Sequence, residues 1–112
     1  MTPFECNRVI IKSGASQINN FHLNTFDLDT MLPGYLCRLY NITELNAIGY
    51  NPLDDYVYGY GYDSGTSMIV RIGSDCDVVS LGLPAGITNS ATFTCGTFDM
   101  AGFYYLYMTT CE

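Results

Sequence analysis

The sequence predicts an all-β chain made of blade-like antiparallel sheets, part of a β-propeller, and three observations carry that prediction. The first is repetition. Tyr50-Asn51-Pro52-Leu53-Asp54-Asp55-Tyr56-Val57-Tyr58 is echoed 48 residues later by Phe98-Asp99-Met100-Ala101-Gly102-Phe103-Tyr104-Tyr105-Leu106, and a fainter copy opens at Arg8-Val9-Ile10-Ile11. Periods of about 40 to 50 residues, each carrying a tight turn into an aromatic and β-branched strand, mark propeller blades and similar β-arrays. The second is the lack of helical spacing: no window sustains apolar residues at i, i+3, i+4 and i+7, whereas strand-type runs bounded by Gly, Asn and Asp recur throughout. The third is register. The same shift lays Arg8 on Tyr56 on Tyr104, and Asp27-Leu28-Asp29 on Asp75-Cys76-Asp77.

Taken in order, the β-branched run Val9-Ile10-Ile11 predicts a strand over 8–12 that ends at Ser13-Gly14. The alternation of Phe21 and Leu23 with His22 predicts a second over 18–24. Strands over 46–51 and 56–60 flank Asn51-Pro52-Leu53-Asp54-Asp55, which has the residues a turn requires. Asp63-Ser64-Gly65 then leads into the apolar run of 67–72, and Gly73-Ser74-Asp75 into 78–81. The last two strands, 91–98 and 103–108, meet at Met100-Ala101-Gly102. A unit therefore holds four strands, as a propeller blade does. Residues 1–112 read as a single all-β module of roughly two blade-like repeats plus the start of a third. A propeller typically closes with four or more blades. So short an array is expected to leave an open apolar flank that invites self-association, a partner or further sequence of a longer propeller. The alternative is a compact β-sandwich in which the duplication is only ancestral.

Leu45-Asn46-Ala47-Ile48-Gly49-Tyr50-Asn51-Pro52-Leu53-Asp54-Asp55-Tyr56-Val57-Tyr58-Gly59, followed by Ile69-Val70-Arg71-Ile72-Gly73 and Ser80-Leu81-Gly82, resembles a propeller-like domain of unknown function. That domain occurs in secreted, adhesin-like and cell-wall-associated proteins. Phe98-Asp99-Met100-Ala101-Gly102-Phe103-Tyr104-Tyr105 resembles its later blade, so the resemblance spans residues 45 to 108. It implies a secreted, adhesive module and carries over no catalytic residue. Cys76 and Cys95 depart from the pattern, standing where turn or strand residues are usual.

Composition excludes several functions. Hydrophobic residues make up 48% and charged ones 13%, which opposes disorder. A formal charge of −7 repels phosphate backbones and anionic membrane surfaces. The longest apolar runs fall far short of the roughly 20 residues of a spanning helix, so no membrane insertion is expected. Five cysteines without a CxxC pair give no zinc spacing, and their odd number leaves at least one thiol unpaired or joined to another chain. Cysteine richness, scarce lysine and the sequon Asn41-Ile42-Thr43 point to a secreted glycoprotein modified at Asn41, although residues 1–6 lack the form of a signal peptide.

Few residues suggest chemistry. Asp27, Asp29, Asp75 and Asp77 could supply oxygen ligands to calcium, yet no loop has the ligand density of known calcium repeats, and the reading without a cofactor is preferred. His22 is the lone histidine and has no evident nucleophile or carboxylate beside it. Alternation places Tyr56, Tyr58, Tyr60 and Tyr62 on one strand face, with Val57, Gly59 and Gly61 on the other. Such tyrosines either pack against the neighbouring blade, the favoured reading, or pave a surface that meets a protein or stacks on sugars. The sequence therefore predicts a non-catalytic extracellular binding or adhesion module that acts through an open sheet edge or the Tyr-rich face. The alternative is a lectin-like carbohydrate-binding module.

Overall fold

Turn chemistry divides the chain into nine strands: β1 (Val9–Gly14), β2 (Phe21–Phe26), β3 (Pro33–Leu39), β4 (Glu44–Asn51), β5 (Tyr56–Asp63), β6 (Thr66–Ile72), β7 (Val78–Gly82), β8 (Cys95–Phe98) and β9 (Tyr104–Tyr107). They come from a computed structural model that describes residues 3, 9–14, 21–27, 29–40, 42–89 and 93–108, among which there is no helix. The strands form three antiparallel meanders in chain order: β1-β2-β3, the four-stranded β4-β5-β6-β7, and β8-β9. Among the described residues no sheet closes on itself.

The all-β prediction holds, and the strand boundaries agree to within a few residues except in one place. Pro33–Leu39 forms a strand that the sequence reading passed over, because Pro33-Gly34 reads as a turn. Proline is tolerated as the first residue of a strand, where its missing N–H takes no ladder bond away.

The repeat is visible in the local hydrogen bonding. Asp27 and Asp75, 48 residues apart, each accept a hydrogen bond from the backbone N–H two residues on: Asp29 donates at 2.8 Å and Asp77 at 3.2 Å. Asn51 and Asp99, again 48 apart, do the same with Leu53 at 3.0 Å and Ala101 at 2.9 Å. Short polar side chains that cap their own backbone in this way fix a turn wherever they stand. After the second pair the period slips. Tyr50 pairs with Val57 across the β4-β5 hairpin, whereas Phe98 pairs with Tyr104 across β8-β9. The later turn is one residue shorter, so β9 corresponds to β5 at a separation of 47, with Val57 matched to Tyr104 and Tyr58 to Tyr105.

The sheets stack in chain order. Between the first and second lies a core of Leu39, Ile42, Leu45, Val57, Val70 and Ile72, with Cys37, Ile48, Tyr50 and Met68 packed against it. Between the second and third lie Ala47, Tyr60, Ile69 and Phe93, joined by Tyr58, Tyr104 and Leu106. Removing a fully buried leucine such as Leu39 or Leu45 from the first interface would cost about 2–5 kcal/mol. The disulfide Cys37–Cys76 ties β3 to the turn before β7, and Cys95 is disulfide-bonded as well.

Ala47 can face the third sheet because the β4-β5 register shifts between Asn46 and Gly49 and Ala47 takes a φ of 55°. The bulge breaks the alternation: Leu45 and Ile48 turn toward the first sheet, and Ala47 turns toward the third. Small residues then let the layers approach closely. A side chain on Gly49 would meet Phe98 at 2.9 Å, and one on Gly96 would run into the Ala47 carbonyl.

Candidate functional site

The alternation expected along β5 is realised. Gly59 and Gly61 face the first sheet, where their missing side chains leave room for Leu45 and Val70, and the tyrosines face the other way. Their surroundings differ. Tyr60 is buried, with its ring edge-on to Phe93 at 5.0 Å. Tyr58 lies 5.1 Å from Phe98 and 6.2 Å from Tyr104, and those two rings stack on each other at 4.4 Å. Tyr56 sits at one end of the strand under the Arg71 guanidinium, 5.2 Å from its ring centre. Tyr62, at the other end, is exposed. The third sheet thus covers the middle of the ladder, while Tyr56 lies under Arg71 and Tyr62 is exposed.

This cover is incomplete on one side, where a cleft of about 560 Å³ opens between the second and third sheets. Tyr58 and Ile69 form its floor, and Phe93, Phe98, Tyr104 and Leu106 one wall. Leu81, Pro84 and Ile87, from the end of β7 and the segment after it, form the opposite wall. Asn89 anchors that segment: its side chain accepts from the Ser67 N–H at 2.6 Å and donates to the Gly65 carbonyl at 2.9 Å, while its carbonyl accepts from the Ser67 hydroxyl at 3.0 Å. Asn51 and Gly102 close one end, so the two repeat-related turns lie side by side there.

The polar groups at that end are largely engaged. The Tyr58 hydroxyl donates to Asp54, the Tyr50 hydroxyl to Asp55 and the Tyr104 hydroxyl to the Ala47 carbonyl. Burial, followed by the bond to Asp54, holds the Tyr58 phenol above its ordinary pKa, and burial alone pushes Tyr104 well up. Asp99 accepts from the N–H groups of Phe103 and Ala101, both at 2.9 Å, and from the Tyr105 hydroxyl, also at 2.9 Å. These donors, the Phe103 N–H first, hold its carboxyl below the usual range. The cleft therefore presents ring faces and aliphatic groups; Asp54, Asp55 and Asp99 stand outside its lining, on the turns to which Asn51 and Gly102 belong.

The other sequence candidates are placed elsewhere. Asp27 and Asp75 are turn acceptors, and Asp29 and Asp77 stand exposed beside them on two different sheets. Among the described residues no three His, Cys, Asp or Glu side chains gather. His22 lies in β2, paired with Ser13 and Arg38. Asn41 falls outside the described residues, while Thr43 of its sequon donates its hydroxyl to the Tyr62 carbonyl at 2.9 Å. Sequence reasoning missed the far wall of the cleft, which follows from Asn89 bonding 22 to 24 residues back along the chain, a contact with no local signature.

Residues 40–110 match the family model described as a repeat of unknown function, DUF6923. The chain belongs to this family. The DUF6923 match takes in the whole second sheet, the third sheet and both walls of the cleft. Neither the curated proteins nor the solved structures give a match to the chain. Among the described residues no helix is long and apolar enough to cross a membrane.

Proposed function

We propose that this DUF6923 repeat chain is a non-catalytic, extracellular binding module in which blade-like sheets hold an aromatic cleft for an apolar segment of a partner protein. The cleft itself carries the reading. Its size falls within the roughly 300–1,000 Å³ of ligand sites, and its lining is dominated by apolar and aromatic groups, as in such sites. Charge favours the partner's chemistry. Asp54, Asp55 and Asp99 belong to the two turns whose Asn51 and Gly102 line the cleft, and on a chain of net charge −7 they suit an apolar side chain flanked by Lys or Arg.

The stacking of three meanders at a period of 48 to 47 residues supports the blade-like description. The Cys37–Cys76 disulfide supports an oxidising, extracellular setting, where Asn41 would carry a glycan. Carbohydrate is the second reading, because the rings of Tyr58, Phe98 and Tyr104 could stack on a sugar. It ranks lower because the Tyr58 and Tyr104 hydroxyls are already donated to protein acceptors, and sugars need such groups free.

Peptide display against the oxidised chain, run beside a glycan array, tests the proposal. Selected peptides are expected to carry Leu or Phe next to Lys or Arg, to bind more weakly as salt rises, and to lose at least about tenfold on Leu81→Lys, a change at a half-exposed wall residue. Glycan binding that falls on Leu81→Lys, with no peptide enriched, would favour the carbohydrate reading.

A further inference from the structure

The polar groups that line the cleft are turned back on the protein. The Tyr58 hydroxyl donates to Asp54 and the Tyr104 hydroxyl to the Ala47 carbonyl. The Asn51 side-chain oxygen accepts from the Leu53 N–H at 3.0 Å, and its main-chain oxygen accepts from the Asp55 N–H at 2.9 Å. The Gly102 N–H donates to the Asp99 carbonyl at 3.1 Å, and the Pro84 carbonyl accepts from the Ile87 N–H at 3.2 Å. Ile69, Phe98 and Leu106 are held in strand ladders. A ligand therefore meets ring and aliphatic surface with few acceptors. An ordinary peptide would bury main-chain N–H groups there, at a cost of about 1–3 kcal/mol for each one left unpaired.

We infer, resting on the reading of the cleft as a peptide site, that the partner segment is proline-rich and binds as a polyproline II helix with Lys or Arg at one end. Proline has no N–H to strand in the cleft, and its fixed φ leaves less freedom to lose on binding. Polyproline II segments dock into aromatic-lined grooves for these reasons. The faces of Tyr58, Phe98 and Tyr104, with Phe93 beside them, supply such a lining. Charge sets the direction. The turns that carry Asp54, Asp55 and Asp99 meet the cleft at Asn51 and Gly102, whereas residues 81–89, which include the far wall, carry no charge. The basic residue of the partner accordingly lies past the Asn51–Gly102 end, with the prolines between Tyr58 and the far wall.

Display of a random decapeptide library against the full oxidised chain tests the inference, with Leu81→Lys as counter-selection. Peptides that bind the unaltered chain and not the variant are expected to hold proline beside Leu or Phe at several times its frequency in the starting library, with Lys or Arg at one end. In the tightest of them, replacing a central proline by alanine should weaken binding about tenfold, because it restores an N–H. N-methylalanine at the same place also lacks the N–H and should weaken binding less. Leu81-dependent peptides without excess proline, such as those with Leu and Phe spaced along one helix face, would overturn the inference and leave the peptide-binding reading standing. So would N-methylalanine binding no tighter than alanine. No Leu81-dependent peptide at all would overturn both.

Discussion

The Tyr104 hydroxyl crosses from the third sheet to donate a hydrogen bond to the main-chain carbonyl of Ala47 in the second. Ala47 holds a left-handed backbone at the β4 bulge, outside the regular ladder pairing, so a side chain from another sheet takes up the acceptor. This polar bond lies beside the largely apolar cluster of Ala47, Tyr60, Ile69 and Phe93.

Breaking that bond should be costly relative to its size. Tyr104→Phe keeps the stacked ring and strips the Ala47 carbonyl of this donor, for a loss of about 1–3 kcal/mol. For a chain of this length that lowers Tm by roughly 4 °C per kcal/mol. Alkali should act on the same contact. Burial raises the folded-state pKa of Tyr104, and that of Tyr58 shifts the same way, so the neutral phenols stabilise the fold fully below the unfolded value near 10. This contribution is lost progressively as pH rises above about 10. Thermal melts between pH 8 and 11.5, read beside tyrosinate absorbance, should show stability falling only above pH 10, less steeply in Tyr104→Phe.

The link between Cys37 and Cys76 joins residues 39 apart in sequence and on different sheets. Closing a loop of that length in the unfolded chain is worth about 4 kcal/mol in the entropy model. Replacing both residues by serine should lower Tm by roughly 15 °C, measured under oxidising conditions so that the bond at Cys95 stays in place. A melt unchanged by the double substitution would show that the core between the first two sheets needs no covalent tie.

Asn89 holds the far wall of the cleft by one side chain. With Asn89→Ala, the Ser67 N–H on a buried residue loses its acceptor, for about 1–3 kcal/mol. Hydrogen exchange is the sharper readout. Protection should fall at Ser67 and Ile87, while Val57 and Val70, on the other side of the second sheet, keep theirs.

Much of this molecule is written locally. Asp27, Asn51, Asp75 and Asp99 each cap a backbone N–H two residues away, so the turns, and with them most strands and the repeat, can be read from short stretches of sequence. Strand β3 escaped because Pro33-Gly34 imitates a turn, and the bulge at Ala47 because alanine is not a residue that favours a left-handed backbone. The one-residue slip between β5 and β9 escaped for a related reason: both turns carry turn residues, and only the pairing of Phe98 with Tyr104 reveals which is shorter.

The sequence by itself determined an all-β chain, its approximate period and the face of β5 that carries Tyr56, Tyr58, Tyr60 and Tyr62, because turns and two-residue alternation depend on neighbours along the chain. Only the tertiary structure decided which of those tyrosines are covered. Tyr58 and Tyr60 are buried or half-buried because Phe98, Tyr104 and Phe93 arrive from 33 to 46 residues further on, and Tyr62 is exposed because that small sheet reaches no further. Whether a ring becomes core, cleft floor or open surface depends on which distant strand packs over it, and local patterning does not specify that.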